Sequence, residues 1–373
     1  MRITYISNSN IPSRAANSIH VMKVCQAFSD LGHDITLLAP GRTAQYESGV
    51  EDVYSYYGVK NTFKIKKIPW LKLIKGKSYF YGLFCAFKAF FNSSELVFCR
   101  HLYGAFFSSL FGLRVVFESH SPINSTSKLD KVLFEKMIKA KNFSHLVVIT
   151  NALKEYYLKK YPQLLGKILV APDGADPINA NRSKFEFENK ENRIQVGYVG
   201  HLYPGRGLDV IIELSNACKW ADFHIIGGTE ADIKYWSEKV YRENVFFHGF
   251  VTPVTAENMR IACDVLLAPY QAKVSVSGGG DTVQWMSPLK VFEYMAAGKV
   301  ILSSDLPVLH EVLEHNRNVL FCTPSDPNDW SEKLTFIRDN PEKMKQLGAN
   351  ALEDFTKHYS WFSRMKNIMQ EIH

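Results

Sequence analysis

The 373-residue chain lacks any apolar run of the roughly 18 residues needed to cross a bilayer. Its six cysteines, at 25, 85, 99, 218, 263 and 322, form no CxxC pair, which speaks against a disulfide scaffold or a four-thiolate zinc site and fits a reducing compartment. It contains no HxxxH, HExxH or DxD pattern and no carboxylate cluster with metal spacing, so no tightly bound catalytic metal is expected. The stretch 7–18, SNSNIPSRAANS, follows the first apolar run and has no glycine. A nicotinamide dinucleotide site would place GxGxxG there, so a dehydrogenase is disfavoured. The start, MRITYISNSN, has one arginine and no long apolar run, and reads as a first strand rather than a signal peptide. A cytoplasmic protein is expected.

What is present is ordinary for a globular protein: 46% hydrophobic and 22% charged residues, 22 Gly and 15 Pro. This excludes a disordered chain, a collagen and a coiled coil. The length suggests two domains. With 44 Lys+Arg against 37 Asp+Glu, the net charge of +7 is mildly basic. It is compatible with a phosphorylated ligand or a membrane surface, and with no recognised nucleic-acid module a nucleic-acid partner is not expected. The basic residues are unevenly spread. Segment 60–94 carries eight lysines and no acid, interleaved with Phe63, Trp70, Tyr79, Phe80, Tyr81, Phe84, Phe87, Phe90 and Phe91. Lysines among aromatics suit an anionic membrane surface; a core helix with solvated lysines is the other reading.

Short apolar runs bounded by turn residues predict strands at 3–6, 35–39, 96–99, 115–117, 146–149 and 168–170, then at 194–199, 223–226, 245–247, 265–268, 300–303 and 319–321. Helical spacing predicts helices at 18–31 and 151–160, then at 206–219, 231–242, 288–297, 331–338 and 341–358. Alternation of strand and helix implies parallel sheets covered on both faces, in two doubly wound units. The polar stretch 176–193 is the candidate linker. The domains expected are 1–177, a linker at 178–193, and 194–359. A last helix at 360–373, with Trp361, Met365, Ile368 and Ile372 on one stripe, is expected to cross back onto the first domain; packing on its own domain is the alternative.

Four motifs carry chemistry. In SPLKVFEYMAAG, 287–298, Ser287 reads as an N-cap, Pro288 as the first helical residue and Gly298 as the stop. The free backbone donors of Leu289 and Lys290, the helix dipole and the Lys290 ammonium make an anion site fit for phosphate. Glu293, further along, suits the vicinal hydroxyls of a ribose. Glycine-rich 277–280, just upstream, would let backbone approach a ligand. In GHLYPGRG, 200–207, Arg206 can grip a diphosphate in bidentate fashion from a strand-end loop. In FESHSP, 117–122, His120 stands at a strand end as a candidate acid, base or hydrogen-bond donor. In the first loop, Ser13, Arg14, Asn17 and Ser18 offer polar groups.

As a set, these motifs resemble the family 4 retaining glycosyltransferases, which have the GT-B architecture: two Rossmann-like doubly wound domains facing across a cleft. The resemblance spans the chain and is densest in YVGHLYPGRGLDVII, the turn at 247–251, DVLLAPY and SPLKVFEYMAAGKVILSSDLPVLHEVL. ITNALKEYY and VAPDGADP resemble the end of the family's first domain. The resemblance implies a nucleotide-diphosphate sugar as co-substrate, no metal cofactor, and a glycan or lipid-linked acceptor. It places Glu293 at the donor ribose, Ser287, Pro288, Leu289 and Lys290 at the phosphate, Arg206 at the diphosphate, Phe250 and Val251 beside the nucleobase, His120 near the transferred sugar, and Ser13, Arg14 and Asn17 in a loop near phosphate and acceptor. Three features depart from the family pattern. Trp285 stands where a second glutamate is usual, with Asp281 as its possible replacement; His201 stands for a second basic residue; and the glycines usual in the first loop are absent.

The expected function is hexosyl transfer with retention of configuration, in bacterial surface polysaccharide, lipopolysaccharide or glycolipid synthesis, with 60–94 docking the inner face of the cytoplasmic membrane. A GT-B nucleotide-sugar epimerase and a catalytically inactive nucleotide-sugar-binding subunit are the alternatives.

Overall fold

A computed structural model describes the chain except residues 42–45, 71–75, 124–126, 180–184, 189–191, 275–280 and 373. It divides into two compact units, Met1–Asp173 with Trp361–His373, and Gly174–Ser360.

The first unit holds strands β1 (Arg2–Ile6), β2 (Asp34–Pro40), β3 (Lys64–Ile68), β4 (Leu96–Cys99), β5 (Val115–Ser119), β6 (Phe143–Val148) and β7 (Ile168–Val170). Its helices are α1 (Ala16–Asp30), α2 (Val53–Tyr56), α3 (Lys77–Phe91), α4 (Leu102–Leu110), α5 (Lys128–Ile138) and α6 (Asn151–Lys160). The sheet order is β3-β2-β1-β4-β5-β6-β7, with every pairing parallel. β1, β4 and β5 are buried almost throughout, as helices on both faces of a parallel sheet require. The chain leaves β1 in one direction and returns beside it as β4, so the sheet reverses there. Ligands bind outside the carboxyl ends of strands at such a reversal.

The second unit repeats the plan with β8 (Ile194–Val199), β9 (Ala221–Ile226), β10 (Val245–Gly249), β11 (Val265–Ala268), β12 (Val300–Ser304) and β13 (Leu320–Cys322). Helices α7 (Leu208–Ala217), α8 (Glu230–Ser237), α9 (Pro253–Ala262), α10 (Leu289–Ala296), α11 (Pro327–Asp339) and α12 (Pro341–Asp354) connect them. The all-parallel order β10-β9-β8-β11-β12-β13 reverses between β8 and β11. One face packs α7 and α11 through Leu208, Ile211, Trp330 and Leu334; the other packs α10 through Val291, Phe292 and Met295.

The last helix, α13 (Trp361–Ile372), belongs to the first unit and packs on α1. Its buried stripe is the expected one, Trp361, Met365, Ile368 and Ile372, joined by Met369 and by Arg364.

Some boundaries differ from expectation. α10 begins at Leu289, with Pro288 in the N-cap position and no side-chain cap, so Ser287 is not the cap. Pro288 has an extended ψ of 120°, which leaves it just outside the helix. β3, α2, α4, α5 and α9 were not foreseen. β3 reads KIKKI, and its exposed lysines hide an edge strand. All six cysteines are buried free thiols.

Candidate active site

In the second unit, the reversal between β8 and β11 gathers the donor-site candidates. Tyr294 locks α10 there. Its hydroxyl accepts from the Val199 amide at 2.9 Å and donates to the Leu267 carbonyl at 3.3 Å, tying the helix to the ends of both strands. Lys290 lies one turn earlier, on the same face of the helix. Its ammonium sits 3.7 Å from the ring centroid of Tyr198 and 5.3 Å from that of Tyr270. The guanidinium of Arg206 lies 5.4 Å from the same Tyr270 ring. Two tyrosine faces thus hold two cations that would otherwise repel. Burial pushes the Lys290 ammonium well below the usual lysine range, and Arg206 pushes it further, against the pull of Glu293. An anion placed between these groups would reverse that shift.

Glycines permit this close approach. A Cβ on Gly200 would meet the Lys290 Nζ at 3.0 Å. Gly207 has φ +80°, and a Cβ there would stand 1.9 Å from the Pro269 carbonyl oxygen. This lets the loop 200–207 lie against the end of β11.

Glu293 is held by Arg260 of α9, whose Nη1 lies 3.3 Å from its Oε2. Arg260 is buried, so the pair fixes the carboxylate rather than decorating a surface. Phe250, half exposed, and Val251 follow the end of β10. The ring of His201 stacks on Tyr203 at 4.9 Å, and its carbonyl accepts from the Tyr198 hydroxyl at 2.7 Å.

The Asp281 carboxylate accepts from the amides of Val274 and Val283, at 3.1 and 3.0 Å. It therefore pins the two sides of the segment that encloses 275–280. The glycine-rich 277–280 motif itself lies outside the described residues. Trp285 and Ser287 are partly buried just before α10.

In the first unit, the loop after β1 is tied down by its own hydroxyls. Ser13 is buried; its Oγ pairs with that of Ser18 at 2.7 Å, and its backbone exchanges hydrogen bonds with the Tyr57 hydroxyl. Arg14 is exposed and paired with Glu47 at 2.7 Å. Asn17 is exposed in the first turn of α1. Serine pairing thus shapes this loop, which contains no glycine.

His120 follows β5 and is half buried. Its Nε2 lies 2.8 Å from Glu118 Oε1. The same oxygen receives Arg364 Nη2 at 2.8 Å and faces His20 Nε2 at 3.0 Å, while His20 Nδ1 faces Asp173 Oδ1 at 2.9 Å. Burial raises the Glu118 carboxyl, but Arg364, His20 and the hydrogen bond from His120 outweigh it and hold the group well below its usual range. Burial and the charge of Arg100 push His120 down to about 4, against the Glu118 hydrogen bond. At neutral pH His120 is therefore neutral beside an ionised Glu118.

Ligand-type atoms of His20, His120 and Asp173 lie within 4.8 Å of one another. Both histidine Nε2 atoms and a guanidinium converge on one carboxylate oxygen of Glu118. His20, Asp173, Glu118, Arg260 and Arg364 were not singled out from the sequence. His20 sits within the apolar stripe of α1, and Arg364 is 246 residues from Glu118; no local spacing joins them.

Residues 179–354 match the family described as glycosyl transferases group 1. The chain is 25% identical over 324 residues to an uncharacterized glycosyltransferase of Methanocaldococcus jannaschii, covering 83% of this chain and 84% of that one. It is 22% identical over 249 residues to the O-antigen chain mannosyltransferase RfbU of Salmonella typhimurium, covering 65% and 64% of the two chains. Among solved structures, Anabaena HepE in complex with UDP-glucose superposes with a TM-score of 0.72 at 14% identity, over 99% of this chain and 98% of that one. The architecture is that of the GT-B glycosyltransferases, two Rossmann-like units.

Proposed function

We propose that this chain is a retaining glycosyltransferase of the family 4 type, moving a hexosyl group from a nucleotide-diphosphate sugar to a hydroxyl of a glycan or lipid-linked acceptor. The observation that carries the proposal is the grouping of Lys290, Arg206 and Glu293 at the strand reversal of the second unit, with the two cations stacked on Tyr198 and Tyr270. Lys290 and Arg206 supply charge for a diphosphate, the start of α10 adds backbone donors, and Glu293 offers carboxylate oxygens to ribose hydroxyls. The match of 179–354 to glycosyl transferases group 1 covers all of these residues.

The chemistry asked of the protein is electrostatic. As the bond between the anomeric carbon and the diphosphate oxygen breaks, charge grows on the leaving group, and pre-placed cations stabilise it without reorganisation. The sugar becomes oxocarbenium-like, and the acceptor hydroxyl attacks from the face the diphosphate leaves, so configuration is retained. The leaving diphosphate takes the acceptor proton. These steps call on no metal ion. Incubation with UDP-glucose or GDP-mannose and a lipid-linked glycan acceptor, followed by NMR of the product, tests this. An α-linked product from an α-linked donor supports it. An inverted product, or an isomerised sugar nucleotide without transfer, refutes it and favours the epimerase reading.

The acceptor is proposed to lie at a membrane surface. Phe80, Phe84, Phe87 and Phe91 recur along α3 at helical spacing and are all exposed, Phe91 by 76%, with Leu110 of α4 63% exposed. Lys77 and Lys88 are exposed on the same helix. An apolar stripe left in water and fringed by cations suits the headgroup boundary of an anionic leaflet. Lys67 does not join them, since its ammonium is bonded to the Ile11 carbonyl. Phe63 and Tyr81 face the core.

A further inference from the structure

The Glu118 cluster is more elaborate than packing requires. One oxygen of a fully buried carboxylate takes a histidine, a guanidinium and a second histidine, while its other oxygen, Oε2, has no hydrogen-bond partner among the described residues. Arg364 is buried as well; its Nε donates to the Pro172 carbonyl at 2.8 Å and its Nη2 to the Ala171 carbonyl at 3.1 Å. Charges buried this deeply lose their hydration, and hydrophobic residues of similar volume often stabilise such a space as well as an ion pair does. The arrangement therefore calls for a reason beyond stability.

The reason follows from donor counting. An ionised carboxylate only accepts hydrogen bonds, so the 2.8 Å contact with His120 requires the imidazole proton on Nε2. In a neutral ring this leaves Nδ1 unprotonated, as an acceptor. Among the described residues, the other charged and titratable groups around His120 are His20 on α1, whose ring packs edge-on at 4.8 Å, Arg100 after β4, Asp173 after β7, and Arg364 on α13. Arg364 and His20 keep Glu118 from taking a proton of its own. Were it protonated, it could donate to His120 and reverse the tautomer.

We propose that Glu118 is a positioning residue for His120, fixing the tautomer that presents Nδ1 as an acceptor to a sugar hydroxyl, and that Arg364 of the last helix keeps Glu118 in the form that does so. The role of His120 beside the sugar rests on the function proposed above; the fixing of its tautomer does not. The last helix thereby contributes a group on which the chemistry at the end of β5 depends, through two carboxylate contacts within one unit.

The test joins spectroscopy to kinetics on the full chain. With 15N-labelled histidine, long-range 1H–15N spectra of the wild-type protein are expected to show His120 protonated at Nε2 and bare at Nδ1 near pH 7. In Glu118→Gln, whose amide can either accept or donate, a mixture of tautomers is expected. Arg364→Lys, which keeps a cation on Glu118, should retain the wild-type tautomer, and Arg364→Gln should lose it in part. The Arg364 pair also decides the matter if Glu118→Gln fails to fold. For nucleoside diphosphate release from UDP-glucose and GDP-mannose, Glu118→Gln should lower kcat about 10- to 100-fold with KM within twofold, and adding it to His120→Ala should cost no more. A wild-type His120 protonated at Nδ1, or a tautomer unmoved in both Glu118→Gln and Arg364→Gln, would overturn the proposal. Full turnover in His120→Ala would instead remove His120 from the reaction and leave the spectroscopic result standing.

Discussion

The ammonium of Lys290 lies 3.7 Å from the centroid of the Tyr198 ring, at a helix start that faces the end of a strand. The contact explains how a cation can be held beside Arg206. An aromatic face supplies attraction worth about 0.5–2 kcal/mol, less than a phosphate would. In the function proposed above, a diphosphate between the two cations would add to that attraction.

Nucleotide-sugar affinity should depend on the charge of Lys290. Burial and Arg206 lower its pKa in the free protein, so the ammonium is lost as pH rises through a value below the ordinary lysine range of about 10.4. Affinity for a UDP- or GDP-sugar should therefore be greatest at lower pH and weaken on the alkaline side. Lys290→Arg, which stays charged, should flatten that profile, and Lys290→Ala should weaken binding at every pH. Calorimetric titrations between pH 6.5 and 9.5 check this; a flat wild-type profile would contradict it.

Glu293, fixed by Arg260, should recognise ribose hydroxyls. Glu293→Gln should weaken binding of a ribonucleoside diphosphate about tenfold, since hydrogen bonds to a charged group are worth roughly 1.5–3 kcal/mol. Binding of the 2′,3′-dideoxy counterpart should change little. Equal losses for both ligands would move Glu293 away from the ribose.

Gly207→Ala and Gly112→Ala form a matched pair. Both glycines have positive φ, +80° and +78°, but only the Cβ at 207 would strike a carbonyl oxygen, at 1.9 Å, while nothing lies within 4 Å at 112. Gly112→Ala should cost about 1–2 kcal/mol from backbone conformation alone. Gly207→Ala should cost more and should also weaken nucleotide binding, because the displaced loop carries Arg206. Urea unfolding of both variants measures the difference.

Association with vesicles of phosphatidylglycerol should fall at least tenfold in Phe84→Ser/Phe91→Ser, since burying each phenylalanine is worth about 1.5–3 kcal/mol. Lys77→Glu/Lys88→Glu should act mainly at low salt. Unchanged co-sedimentation in both variants would leave the stripe on α3 without a membrane role.

Much of this fold is legible because parallel strands buried on both faces are continuous apolar runs, and all twelve strands expected from the sequence coincide with strands among the thirteen of the described residues. β3 escaped notice because an edge strand is exposed and KIKKI is mostly lysine. α4 escaped for a different reason: LYGAFFSSL is apolar with no polar face to give it a period. The site divides the same way. Lys290, Glu293 and Arg206 stand out because turn chemistry and helix starts are local in sequence. Tyr198, Tyr270 and Arg260 do not, because each is an ordinary strand-end or helix residue until the sheet brings it beside a charge. His20 and Arg364 sit on stripes that read as apolar, and only the tertiary fold joins them to Glu118.

The most direct measurement is a thermal-shift titration of the wild-type chain, Arg206→Ala and Lys290→Ala with UDP, GDP, ADP, CMP and TDP, each with and without EDTA. At about 100 times its dissociation constant a ligand adds roughly 2.7 kcal/mol of stability. The account predicts that one nucleoside diphosphate raises the Tm of the wild type in the presence of EDTA, and that both variants lose most of the shift. No shift with any nucleotide, or equal shifts in all three proteins, would contradict the placement of a nucleotide-sugar at the strand reversal of the second unit.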